Sequence, residues 1–216
     1  MEPTKASSFS KKEAIAFGFK TAKEYILFFL GLFVIWVLIT GISAAIQGGL
    51  NADKHNVIIL ITSLLFRLLS WGVNSIISLG IINIMLKLVD GVKPEFKDLY
   101  YITKLFNFML ASMIKGLIVV GGLILFIIPG IIFSIKLQYT EYFIVDKKMD
   151  AIDAIKASWE ITKGVKGNLF LLGLLLGLIN ILGFLCLLVG LVITVPLSMV
   201  ANAYVYRKLI SQSSLK

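Results

Sequence analysis

Four long apolar stretches, residues 25–46, 56–88, 105–145 and 168–206, take up most of the chain and set what it can fold into. A helix crosses the ~30 Å hydrocarbon core of a bilayer with about 20 residues. The first stretch has 22 residues and suffices for one crossing. Ser43-Ala44-Ala45 faintly resembles a signal-peptide cleavage site, but signal cores are shorter, about 7–15 residues. The second stretch has 33 residues and must tilt, protrude or break near Ser70-Trp71-Gly72. The last two run to about 40 residues each, twice the ~20 that one crossing needs. Hydrophobic residues make up 58% of the 216 and charged residues 15%, against about 45–50% and 25% in soluble domains. That balance excludes a cytosolic enzyme, a secreted disulfide scaffold and a disordered regulator. The lone Cys186 can form no intrachain bridge.

Both longer stretches carry turn signals near their middles: Pro129-Gly130 in one, Gly190 with Pro196 beyond it in the other. Each reads as a helical hairpin, with Pro129 and Gly130 making a tight outer turn, and the total is six spans. With both termini cytoplasmic, the inner segments hold 17 of the 21 Lys and Arg. Lys54 alone lies outside, and Arg67, Lys115 and Lys136 fall within spans. This is a strong positive-inside bias.

A short amphipathic segment precedes each hairpin. The first opens with Ser10-Lys11-Lys12-Glu13, a capping-box pattern, and sets Ile15, Phe19 and Ala22 on one face. The second has Pro94 at a first helical position, followed by Phe96, Leu99 and Tyr100. The third has Asp150 as N-cap, Ile152, Ile155 and Trp159 along one side, and Gly164 at its C-terminal cap. Residues 96–104 resemble residues 155–163, and the hairpins that follow align at an offset of 60, matching Gly130 with Gly190 and Lys147-Lys148 with Arg207-Lys208. An even number of spans per unit makes such repeats parallel. The expected fold is therefore all-α: a polytopic six-span transmembrane bundle with three cytoplasmic interfacial amphipathic helices and parallel internal repeats. Residues 1–10 form a cytoplasmic tail. Residues 11–92, 93–148 and 149–216 are each a short helix plus a hairpin, within one membrane domain.

The short segments, with Lys on one side and bulky apolar residues on the other, fit helices in the inner interface. Tyr100 and Trp159 would sit at headgroup depth as anchors. Anionic inner-leaflet lipid would be drawn to such a surface, either as a specific ligand or as generic anchoring. Nucleic acid is not an expected partner, because ten acidic residues share that face. Within the spans, Lys115 and Glu141 lie at similar depths on the two arms of one hairpin. They would form either a structural ion pair or an ion-coupling site. Arg67 would be near the outer interface or deep; if deep, it competes with Lys115 for Glu141. Gly173 and Gly177 make a small-xxx-small step for helix packing, within the bundle or between protomers. The one histidine, His55, sits in the outer loop. No Cys/His cluster suggests a metal, no cofactor motif is present, and Ser158 has no histidine partner near its helix.

Ile128-Pro129-Gly130-Ile131, Asp146, Ala154 with Ser158 and Lys163-Gly164, then Gly190, Pro196 and Tyr206-Arg207-Lys208-Leu209 run in a characteristic order. This order resembles the membrane domain attached to some bacterial glycerophosphoryl diester phosphodiesterases, and related stand-alone bacterial membrane proteins. The resemblance covers residues 93–209 and implies a multi-pass plasma-membrane protein of bacterial or archaeal type. It carries over no phosphodiesterase chemistry, which belongs to a separate domain with paired histidines. The function expected is a non-enzymatic scaffold or accessory subunit binding lipid, a partner protein or a second copy. The alternative is a small transporter or channel with Glu141, Lys115 and Arg67 along its path.

Overall fold

The structure, a computed structural model, describes residues 9–50, 57–186 and 190–213. The described chain is built from α-helices joined by short connections: α1 (Lys11–Glu24), α2 (Ile26–Leu50), α3 (Val57–Val89), α4 (Leu105–Leu125), α5 (Ile127–Lys136), α6 (Thr140–Lys147), α7 (Ala151–Ile161), α8 (Lys166–Leu185) and α9 (Leu191–Ser211), with one 3-10 turn at Phe96–Leu99. Four helical segments are long and apolar enough to cross a membrane: Ile26–Gly49, Val57–Val89, Leu105–Leu125 and Lys166–Leu185. They leave large apolar side chains uncovered, among them Leu27, Leu38 and Ile42 on α2, Leu64 and Leu68 on α3, Met113 and Leu117 on α4, and Leu178 and Leu182 on α8. An uncovered apolar belt of this kind suits a lipid solvent. Residues 57–89 are one unbroken helix, so the length of the second apolar stretch is not resolved by a break at Ser70-Trp71-Gly72.

The tight core lies at the opposite end, the base, where the end of α3, all of α6 and α7, and the C-terminal half of α9 meet. Leu79, Ile84, Tyr139, Phe143, Ile144, Ala154, Val205, Tyr206 and Leu209 are buried there without exposure. The apolar residues that make this core are interleaved with Ser, Thr and Asp, which is why hydropathy alone does not separate it from the long apolar helices.

Two of the three short segments are α-helices, and the expectation for the second one changes. In α1, Ser10 caps the helix through its hydroxyl, which accepts from the Glu13 N–H at 3.3 Å. The buried face, however, is Ala14, Gly18, Thr21 and Ala22, while Phe19 is 53% exposed. These small residues, with Ala14, Gly18 and Ala22 four apart along one face and Thr21 beside them, let α1 lie against α9. A Cβ at Gly18 would stand 2.5 Å from the Leu197 carbonyl oxygen. In α7 the small side is again the buried one, with Ala151, Ala154, Ala157, Ser158 and Ile161 inside and Ile152 and Trp159 outside. Close helix contact rewards small residues more than bulky ones. The second segment is not an α-helix. Only Phe96–Leu99 turns, as a 3-10 helix, and Pro94 lies before it.

The outer turn also moves. The chain reverses at Phe126, whose backbone is extended, and Pro129 and Gly130 fall inside the first turn of α5. A proline at the third helical position gives up an N–H that has no intrahelical acceptor anyway, so Pro129 starts a helix instead of breaking one. Gly130 is needed for contact: a Cβ there would overlap Leu123 of α4. At the other hairpin, α9 begins directly after Gly190, and Pro196 sits within the helix. The loop with His55, expected on the outer side, and most of the tail at residues 1–10 lie outside the described residues.

Candidate functional site

The limb that returns from α4 is interrupted. Residues 137–139 leave the helical path between α5 and α6, and α7 fills the backbone hydrogen bonds left open. The Ser158 hydroxyl donates to the Lys136 carbonyl at 2.8 Å and accepts from the Tyr139 N–H at 3.2 Å. The Thr162 hydroxyl also reaches the Lys136 carbonyl, at 3.4 Å. Ser158 is therefore a structural plug. The Lys136 ammonium lies 3.2 Å from the centre of the Trp159 ring, a cation–π contact.

The break starts α6 at Thr140 and puts Glu141 in its first turn, facing α4. Lys115, halfway along α4, donates to Glu141 Oε1 at 2.5 Å, and the Ser112 hydroxyl donates to the same oxygen at 3.3 Å. The two side chains are 26% and 20% exposed. Met113 and Leu117, on either side of Lys115, belong to the uncovered belt, so the pair lies at the depth of the apolar surface. The sequence-predicted contact between Lys115 and Glu141 is present. Arg67 does not join it: its side chain is exposed on α3, with no ion-pair partner among the described residues.

Glu141 also forms part of the wall of a cavity of about 380 Å³ between α3, α4, α6 and α9. Asn74, Ser75, Ser78 and Ser112 give that cavity a polar lining; Trp71, Ile82, Phe108 and Tyr142 give it an apolar one. Next to it is a second cavity, about 360 Å³, walled by α2, α3 and α9 with apolar residues only, including Phe29, Trp36, Leu191 and Val195. Ile81, Met85 and Met199 line both. A half-polar chamber thus opens beside a wholly apolar one.

At the base, three charged groups that sequence spacing did not join form a clasp. Arg207 on α9 grips Asp90, just past α3, with two hydrogen bonds of 2.8 and 2.6 Å. It also meets Asp146 of α6 at 2.7 Å. The Tyr206 hydroxyl donates to the other Asp146 oxygen at 3.0 Å, and the Tyr206 ring packs on Tyr142, 5.3 Å between centres, linking the clasp to the cavity wall. Asp146 and Tyr206-Arg207 stood in the family-like pattern, but nothing in the sequence pointed to Asp90. Nearby, Lys87 binds Asp98 at 2.5 Å. Burial pushes the Asp98 carboxyl up, but hydrogen bonds from Lys87 and the Glu95 N–H, with the Lys87 charge, outweigh it and hold the group below the usual carboxylate range. Asp150 binds Lys104 at 2.7 Å and Asn107 at 3.0 Å. The Lys104 hydrogen bond and charge lower its pKa in the same direction.

The remaining sites divide. Gly173 and Gly177 are exposed, and a Cβ on either would meet nothing within 4 Å. Among the described residues they make no close helix contact; Gly18, which the sequence reading passed over, makes one against α9. Tyr100 is exposed and Trp159 partly so, and neither lies on an α-helix face buried in the core. Asn180 does join two helices, donating to Ser198 of α9 at 3.0 Å. Among the described residues no group of His, Cys, Asp and Glu is placed to hold a metal ion.

In comparisons with known proteins, no family model matches the chain, and no solved structure matches it. It is similar to an uncharacterized protein of Mycobacterium bovis, Mb2590, 33% identical over 132 residues. It is also similar to two uncharacterized proteins of Mycobacterium tuberculosis, MT2637 at 33% and Rv2560 at 32% over the same length. The aligned part is 60% of this chain and 40% of each relative, so the chain spans less than half the length of the relatives it matches. These matches establish no link to glycerophosphoryl diester phosphodiesterases.

Proposed function

We propose that this chain is a non-enzymatic, multi-pass protein of a bacterial plasma membrane, with both termini cytoplasmic, that serves as a scaffold or accessory subunit by binding lipid. The observation that carries this reading is the junction of the two cavities: a chamber with Glu141 and serines on its wall shares Ile81, Met85 and Met199 with an entirely apolar one. A lipid has that same division between head and chain. Six spans follow if, beside the four long apolar helices, α5 and α6 act as one broken limb and α9 is the sixth crossing. The side chains of α7 that satisfy the backbone at the break support this, because bare polar backbone is not tolerated in lipid. Glycine-to-glycine contact at both hairpin tips, Gly122 on Gly130 and Gly183 on Gly190, supports a parallel repeat. Anionic inner-leaflet lipid is the proposed partner of the lysines of α1, where Lys11 and Lys12 edge a groove floored by Ile15, Leu175 and Ile179.

The test is native mass spectrometry of the protein extracted gently from its own membrane. A discrete lipid bound to the wild type and absent when Val195→Phe fills the apolar cavity supports the reading. Equal lipid retention in both, or a stoichiometric protein partner with no lipid, overturns it. A second reading, a small transporter or channel, is favoured by one fact: Glu141 faces a cavity as well as Lys115. Proton-coupled flux in liposomes that collapses in Glu141→Gln would select it.

A further inference from the structure

We propose that the two adjoining cavities, which share Ile81, Met85 and Met199, together select an uncharged amphiphile with a hydroxyl headgroup, the hydroxyl held among Ser75, Ser78 and Glu141 and the chain laid across the shared residues against Val195 and Trp36. This rests on the lipid-binding reading and specifies the ligand class. The argument is an account of donors and charges. The hydroxyl protons of Ser75 and Ser78 go to the carbonyls of Trp71 and Asn74, both at 2.9 Å. The Ser112 proton goes to Glu141 Oε1. What these side chains turn toward a ligand is lone pairs, together with the second Glu141 oxygen. The Asn74 amide, one N–H of which goes to the Ser70 carbonyl at 2.8 Å, and the Tyr142 hydroxyl add donors to the same wall, so the lining suits a group that both donates and accepts, as a hydroxyl does.

Charge then decides between donors. Glu141 is already neutralised by Lys115, so an ammonium headgroup would add a third, uncompensated charge at the depth of the apolar belt. A phosphate or carboxylate headgroup has no cation to meet, since no Lys or Arg lines either cavity. A hydroxyl donates a proton and brings no charge. The neighbouring chamber, lined by apolar residues alone, removes a hydrocarbon chain from competing polar contacts, and pockets of this size class take small ligands.

The experiment uses the purified chain in a mild detergent. A saturated monoacylglycerol, the fatty acid and the primary amine of the same chain length are each titrated, and the rise in unfolding temperature is read. The monoacylglycerol should stabilise with an apparent affinity about tenfold or more above the other two, the worth of one uncompensated polar mismatch. Ser78→Ala, at an exposed helical position where folding is not at stake, should weaken it about three- to tenfold. Val195→Phe should abolish it. Equal or stronger binding of the acid or the amine overturns the headgroup inference and leaves lipid binding standing. No binding of any of the three overturns both.

Discussion

Replacing Glu141 with Gln tests the centre of the site. The substitution keeps the shape of the side chain and removes the charge that Lys115 meets at 2.5 Å. A hydrogen bond to a charged group contributes about 1.5–3 kcal/mol, and breaking a fully buried pair from one side costs about 3–5 kcal/mol. With the partners 26% and 20% exposed, water screens part of this, and the expected loss is about 2 kcal/mol. Lys115→Met should cost a similar amount, because it leaves the carboxylate unpaired. The double variant Lys115→Met/Glu141→Gln leaves no orphaned charge and should recover to within about 1 kcal/mol of wild type. At about 2–4 °C per kcal/mol for a chain of this size, each single variant should melt about 4–8 °C below wild type. Thermal unfolding in mild detergent, followed by near-UV circular dichroism, reads all four proteins. If the double variant loses the sum of the singles, leaving a coupling below about 0.5 kcal/mol, the two groups do not depend on each other and the reasoning fails.

Gly18→Val should destabilise by about 1–3 kcal/mol through overpacking against Leu197, whereas Gly173→Val and Gly177→Val, set in open space, should stay within about 0.5 kcal/mol; melting temperatures of the three decide it. Arg207→Lys keeps the charge but cannot grip Asp90 with two hydrogen bonds while meeting Asp146. A loss of about 1–3 kcal/mol is expected, and an unchanged urea midpoint would refute the clasp. The Asp98 carboxyl titrates below its unfolded value, so its contribution is complete above the unfolded pKa of about 3.9. That contribution fades as pH falls through the lower folded value. Asp98→Asn should therefore cost stability at neutral pH and narrow the gap to wild type in acid; a gap constant with pH would contradict the assignment.

Several elements were legible in the sequence because local rules govern them. Ser10 as N-cap, Gly164 past α7 with φ +83, the Lys115–Glu141 pairing and the long apolar helices all follow from spacing along one or two segments. Other features were out of reach of local rules. Periodicity set Ile15 and Phe19, and Ile152 and Trp159, on apolar faces, but the faces packed inside the chain are those of the small residues Ala14 and Gly18, and Ala154 and Ala157. The Pro129-Gly130 pair is punctuation in a sequence, and whether it ends one helix or begins the next depends on where the chain has already turned.

By itself, the sequence determined the helical character of the chain and its helices long and apolar enough to cross a membrane, since apolar runs of 20 or more residues leave few other solutions. It also brought together residues one hairpin apart. The tertiary structure alone decided which surfaces meet at long range: α1 on α9, Asp90 with Arg207 across 117 positions, and two cavities that share a wall. Those contacts depend on how helices cross in three dimensions, and helical periodicity specifies a face without specifying the partner that covers it.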